Sequence, residues 1–154
     1  MATETKQAWQ LGLELFERWT RMWNGELALA DGLIGERFWV HLTVRSPQWT
    51  PERLRDAKAV AGWVEWVRGR YQTLRYTMDG PPFVDTAQGT VVCPWHADGV
   101  FSGRSGRAED VAGQAFRQAG IDILRFEGER IVECWTMSVN VTALGESWPQ
   151  PRRS

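Results

Sequence analysis

The chain predicts an α+β fold: a cone-shaped α+β barrel in which a strongly curved antiparallel sheet wraps around N-terminal helices and leaves an internal pocket. Three observations carry this. Helical periodicity is confined to roughly the first 70 residues. After Gln72 the pattern changes to alternating, β-branched and aromatic runs broken at Gly80-Pro81-Pro82, at Gly103 to Gly106 and at Gly128. Two of those runs are too long to lie flat, since sixteen residues of strand would reach roughly 50 Å. They must bend, and Gly89, Gly99, Gly113 and Gly120 are the natural places. Helices followed by bent antiparallel strands make one layered α+β unit.

Residues 5 to 24 carry apolar side chains at three- and four-residue steps, Ala8, Leu11, Leu15, Trp19 and Met22, so the spacing predicts an amphipathic helix. Asn24-Gly25 ends it in a left-handed cap. A short helix follows over Glu26 to Leu33, and Phe38 to Leu42 is rich in strand formers. Thr50 reads as an N-cap with Pro51 at the first helical position, opening a helix that runs to about Tyr71. Its buried stripe is Ala57, Val60, Val64, Val67 and Tyr71, with Trp63 beside it. Strands are then predicted in Leu74 to Met78, Phe83 to Phe101, Val111 to Phe126 and Arg130 to Val139, the last two joined by a hairpin at Glu127-Gly128-Glu129.

Composition narrows the function classes. At 154 residues the chain reads as one domain, over 1–145, followed by a flexible polar tail over 146–154. With 18 basic and 19 acidic residues, net charge −1, no field recommends nucleic acid or an anionic membrane as partner. No apolar run approaches the ~20 residues of a membrane span. The N-terminus lacks the order of a signal peptide, so the cytoplasm is the expected location. Cys93 and Cys134 sit inside apolar strands and read as small hydrophobes. With His41 and His96 as the only histidines, no metal site and no cofactor is expected. Ten tryptophans are many for this length; they fit core packing and, equally, an aromatic-walled cavity for a hydrophobic ligand.

Asp122 interrupts the apolar strand Ile121-Asp122-Ile123-Leu124, where a buried charge is costly unless paired or used. Pairing with Arg117, Arg125 or a backbone amide is one reading; a general base in a dry pocket is the other. Strand alternation puts Phe116, Gln118, Asp122 and Leu124 on one face, and Ile121 and Ile123 with their flanking arginines on the other. In the last strand it groups Ile131, Glu133, Trp135 and Met137 against Val132, Cys134 and Thr136. No GxSxG elbow, Cys–His pair or phosphate loop is present.

GIDILRFEGERIVECW, from Gly120 to Trp135, resembles the C-terminal hairpin of SnoaL-like polyketide cyclases in the nuclear transport factor 2-like superfamily. Phe16 to Leu27, Phe38-Trp39-Val40-His41 and Trp95 to Gly103 are similar to further family segments, so the likeness covers nearly the whole chain. The resemblance implies that Asp122 is the catalytic base and that His41 assists it. It also implies a pocket moulded by Trp39, Trp63, Trp95, Phe101 and Trp135, with Phe116, Gln118 and Tyr76 as further substrate contacts. Phe101 stands where cyclases carry a histidine that helps the aspartate, a departure that favours a shaping pocket over the usual aldol chemistry. The expected activity is cofactor-independent cyclisation or isomerisation of a hydrophobic, polyketide-type substrate. An epoxide hydrolase or dehydratase, or a non-catalytic binding domain, are the alternatives, and a homodimer through the outer sheet face is expected.

Overall fold

The computed structural model of the chain describes residues 2–42 and 46–141. The apolar stripe of α1 (Ala2–Trp23) decides where the sheet must lie, because Leu15, Phe16, Trp19 and Met22 are all buried against it. Gly25, at a φ of 109°, ends α1 as the sequence predicts. The Asn24 side chain then holds β2 by both backbone groups of Tyr76, at 2.7 and 2.9 Å. A 3-10 turn at Leu27–Leu29 and the short α2 (Ala30–Leu33) lead into β1 (Ile34–Leu42).

The third helix starts later than expected. Thr50 opens only a single turn, with Leu54 N bonded to Thr50 O at 3.1 Å. That turn drops Leu54 into the core, fully buried. The helix α3 (Ala57–Arg68) is capped by Asp56, whose carboxylate accepts from Ala59 N at 2.8 Å. It ends before Tyr71, which belongs to β2 (Tyr71–Met78). The strands β3 (Phe83–Asp85), β4 (Thr90–Phe101), β5 (Ala115–Glu127) and β6 (Arg130–Asn140) complete one curved sheet, in the order β1-β6-β5-β4-β2 with β3 beside β4. The sheet is mixed, because β1 pairs parallel with β6 while every other pair is antiparallel. The predicted tail over 146–154, and the domain end at residue 145, lie outside the described residues.

Two features of the β5–β6 hairpin set the inner face. Gly128, at a φ of 56°, makes the tight turn. Just beyond it Arg125 pairs with Glu133 but Phe126 with Ile131, so Val132 is an extra residue, a β-bulge. Alternation counted through Val132 therefore fails: Ile131, Cys134 and Thr136 turn inward, and Glu133, Trp135 and Met137 turn outward. On β5, Phe116, Gln118, Gly120, Asp122 and Leu124 face inward, as alternation predicts.

Gly120 does more than bend its strand. A Cβ there would overlap the indole of Trp95 and the carbonyl oxygen of Met137, so the missing side chain is the space that Trp95 occupies. Gly120→Ala is expected to destabilise the fold by about 1–3 kcal/mol through overpacking against backbone that cannot yield, read as a lower Tm and a lower denaturant midpoint.

Candidate active site

The inner face of the sheet and helices α1 and α3 enclose a cavity of about 480 Å³. The i, i+3, i+4, i+7 spacing of Trp63, Trp66, Val67 and Arg70 brings all four to its wall from α3 and the residues just after it. From α1 come Phe16, Trp19, Thr20 and Trp23; from the strands, Tyr71, Tyr76, Trp95, Phe116, Gln118, Asp122, Thr136, Ser138 and Asn140. Six of the ten tryptophans line it. Several of them form one aromatic cluster with Tyr76: Trp23 meets Trp63 edge-on at 4.8 Å and lies 5.3 Å from Tyr76, and Tyr76 meets Trp95 edge-on at 5.2 Å.

Among the described residues Asp122 is the only carboxylate in that wall, and it is buried. Trp19 Nε1 donates to its Oδ2 at 2.9 Å, across 103 residues of sequence. Its Oδ1 has no hydrogen-bond partner among the described residues. Burial raises the carboxyl above the ordinary aspartate value, and the nearby Thr136, Trp19 and Trp95 donors only partly oppose this. Neither arginine proposed as its partner reaches it: Arg117 pairs with Asp98 at 2.7 Å, and Arg125 with Glu133 and Glu127. Tyr76, half-buried, has its phenol pKa raised by desolvation, so it stays protonated as a hydrogen-bond donor. Gln118 donates to Ser138 Oγ at 2.5 Å and completes a polar strip beside the aromatic wall.

Of the residues singled out from sequence, Asp122, Trp63, Tyr76, Trp95, Phe116 and Gln118 come together at the cavity. Trp39, His41 and Trp135 do not. On β1 the inward side chains are Phe38, Val40 and Leu42, which leaves Trp39 and His41 on the outer face. There Arg55 covers the Trp39 ring at 4.9 Å. His41 stacks on Trp135 at 4.6 Å and bonds Glu133 at 2.8 Å, since the bulge at Val132 sends both partners outward. Burial alone would raise the Glu133 carboxyl, but His41 and Arg125 hold it below its ordinary value. Phe101 lies one layer behind the wall, packed on Tyr71 at 5.6 Å and Phe116 at 5.0 Å.

Sequence reasoning missed Trp23, Trp49, Trp66, Arg70, Arg107 and Thr136 as cavity residues. The helical spacing of Trp19 with Trp23, and of Trp63 with Trp66, was the available signal for the tryptophans. Cys93 and Cys134 are buried and unpaired; burial pushes the Cys93 thiol up to about 11, so both behave as small apolar groups. Among the described residues no cluster of His, Cys, Asp or Glu could hold a metal ion, and no helix is long and apolar enough to cross a membrane.

This architecture defines the chain as a cone-shaped α+β protein with the fold of the SnoaL-like and NTF2-like proteins. No family model and no curated protein matches the sequence, but solved structures match the fold. Wild-type IdmH from Streptomyces antibioticus, named as a putative polyketide cyclase, superimposes with a TM-score of 0.69 at 23% identity, over 86% of this chain and 95% of that one. A putative SnoaL-like polyketide cyclase from Jannaschia sp. CCS1 gives 0.66 at 10% identity, over 88% and 89%. An NTF2-like protein of unknown function from Exiguobacterium gives 0.58 at 16% identity, over 81% and 98%.

The raised carboxyl of Asp122 carries a stability consequence. Its neutral form is favoured in the folded state, so its contribution is fully present below the ordinary aspartate value and is lost as pH rises through the folded value. Asp122→Asn keeps the shape and removes the charge. It is expected to raise stability at pH 8 by about 1 kcal/mol or more, roughly 2–4 °C in Tm, with the gain vanishing toward pH 3. Melting curves across that range decide the matter: equal Tm values at every pH would mean a solvated or compensated carboxylate.

Proposed function

We propose that the protein is a cofactor-independent cyclase or isomerase that closes or rearranges a hydrophobic, carbonyl-bearing substrate, with Asp122 as the proton carrier. The observation that carries this reading is a lone carboxylate, buried in an aromatic cavity, with one oxygen held by Trp19 and the other free. A base in a dry site needs a pKa brought toward the working pH, and burial does that here. The names of the structurally similar proteins, as putative polyketide cyclases, agree with it.

In the proposed step, Asp122 Oδ1 takes a proton from the carbon beside a substrate carbonyl. The resulting enolate carbon adds to a conjugated carbon–carbon double bond of the same molecule, forming the ring bond with one base and no assisting histidine. The proton then returns from Asp122 to the enolate that this addition leaves, so no atom is gained or lost. Tyr76, protonated and in the wall, and Trp95, whose indole N–H lies near Asp122, are donors suited to the developing oxyanion. The rigid aromatic wall supports the remaining catalysis by holding the substrate near its reactive conformer. A single acid in the wall fits this reading better than hydrolysis, which calls for a second group to activate water. Exposed Ile121, Met137 and Val139 on the outer face of β5 and β6 support a homodimer through that face.

The test is turnover of aromatic polyketides to products of unchanged mass. Asp122→Asn should lower kcat by about 10²–10⁴-fold, whereas His41→Ala, on the outer face, should stay within about twofold of wild type. Because Asp122 must be ionised to act as base, the rate should fall on the acid side with a midpoint above the ordinary aspartate value of ~4. A fully active Asn variant would overturn the assignment.

A further inference from the structure

Five buried polar side-chain atoms have no hydrogen-bond partner among the described residues, and all five belong to cavity-lining residues. Four are donors: the indole nitrogens of Trp23, Trp49 and Trp95, and Nε of Arg70. The fifth is Asp122 Oδ1. Buried donors ordinarily find acceptors, so a wall so rich in free N–H groups suits an oxygen-bearing guest.

One part of the wall is also cationic. Arg70 and Arg107 both line the cavity, beside Ser105, and neither forms an ion pair with a described residue. The Arg70 guanidinium is steadied 4.8 Å above the Trp66 ring. Ser102 Oγ donates to Arg70 O at 2.7 Å, which fastens the segment bearing Ser105 and Arg107 to the start of β2. The nearby acid, Asp110, is already engaged by the backbone amides of Gly103 and Ser105, at 2.9 and 2.5 Å. Burial, and then the charge of Arg107, push the Arg70 pKa down, so the two cations repel one another across this part of the site.

We propose that Arg70 and Arg107 form a carboxylate subsite, so that the substrate is a hydrophobic carboxylic acid whose body lies along the tryptophan wall. This rests on the cavity being the substrate site, as proposed above, but not on Asp122 being the base. A planar carboxylate matches the fork of an arginine and relieves the repulsion between the two.

Isothermal titration calorimetry with anthracene-2-carboxylate and its methyl ester provides the test. Wild type should bind the acid about tenfold more tightly than the ester, with the advantage shrinking in high salt. Arg70→Gln and Arg107→Gln should each remove most of that advantage, lowering acid affinity far more than ester affinity. Arg107 is exposed, so its variant keeps the test decisive if Arg70→Gln melts early. Asp122→Asn should retain the preference, which separates this proposal from the catalytic one. Equal affinity of wild type for acid and ester, a preference surviving in both arginine variants, or no binding of either compound would overturn it.

Discussion

A carboxylate kept away from water constrains this molecule more than any other group. Asp122 sits on the inner face of the sheet where the first helix covers it, and a single N–H from Trp19 is the one direct hydrogen bond that joins it to that helix. Burying a carboxyl under those conditions is unfavourable unless it is neutral or given something to do. Much of the surrounding structure makes that position possible. Gly120 gives up its side chain so that Trp95 can lie beside the acid, and Asn24 locks the end of α1 to β2. Arg68 ties Trp23 O and Leu74 O together at 2.8 and 3.0 Å. These contacts hold helix and sheet at a fixed separation, and the cavity is the volume between them.

The outer face shows what the same residue types do when water can reach them. Its histidines, His41 and His96, meet carboxylates there, Glu133 in one case and Asp79 in the other. Arg125 bridges Glu133 and Glu127, and Arg117 meets Asp98. Such solvated pairs contribute little each and are screened by salt. Of the two buried carboxylates among the described residues, Asp110 is held by the backbone amides of Gly103 and Ser105, whereas Asp122 has a single indole donor, which is the pattern expected of a reactive site rather than of a stabilising contact.

How much of this was legible in the sequence follows from the range of each interaction. Helix α1 and the β5–β6 hairpin were readable because periodicity, Gly25 and Gly128 act locally. Asp122 was readable because one charge breaks an apolar run. The start of α3 was displaced because Thr50-Pro51 forms a turn on its own and Asp56 is the better-placed cap. The parallel partnership of β1 with β6, and the meeting of Trp19 with Asp122, join residues about a hundred positions apart and left no local trace. The pocket roles expected for Trp39, His41 and Trp135 came from likeness and from alternation. The Phe38–Val40–Leu42 face, and the extra residue at Val132, placed those side chains on the other side of the sheet.

That extra residue has a consequence for how such a cavity can change over generations. Along β6, which side chains meet the ligand depends on a count and not only on identities. Removing Val132 would let Ile131 and Glu133 follow one another opposite Phe126 and Arg125, so the ladder would become regular with Cys134, Thr136 and Ser138 still inside and Glu133, Trp135 and Met137 still outside. A single-codon deletion there would be absorbed by the bulge, whereas one residue lost from a regular ladder would turn every side chain beyond it to the other face. The hairpin beside Gly128 is therefore a place where the chain can shorten by one residue and keep the side chains that face the ligand.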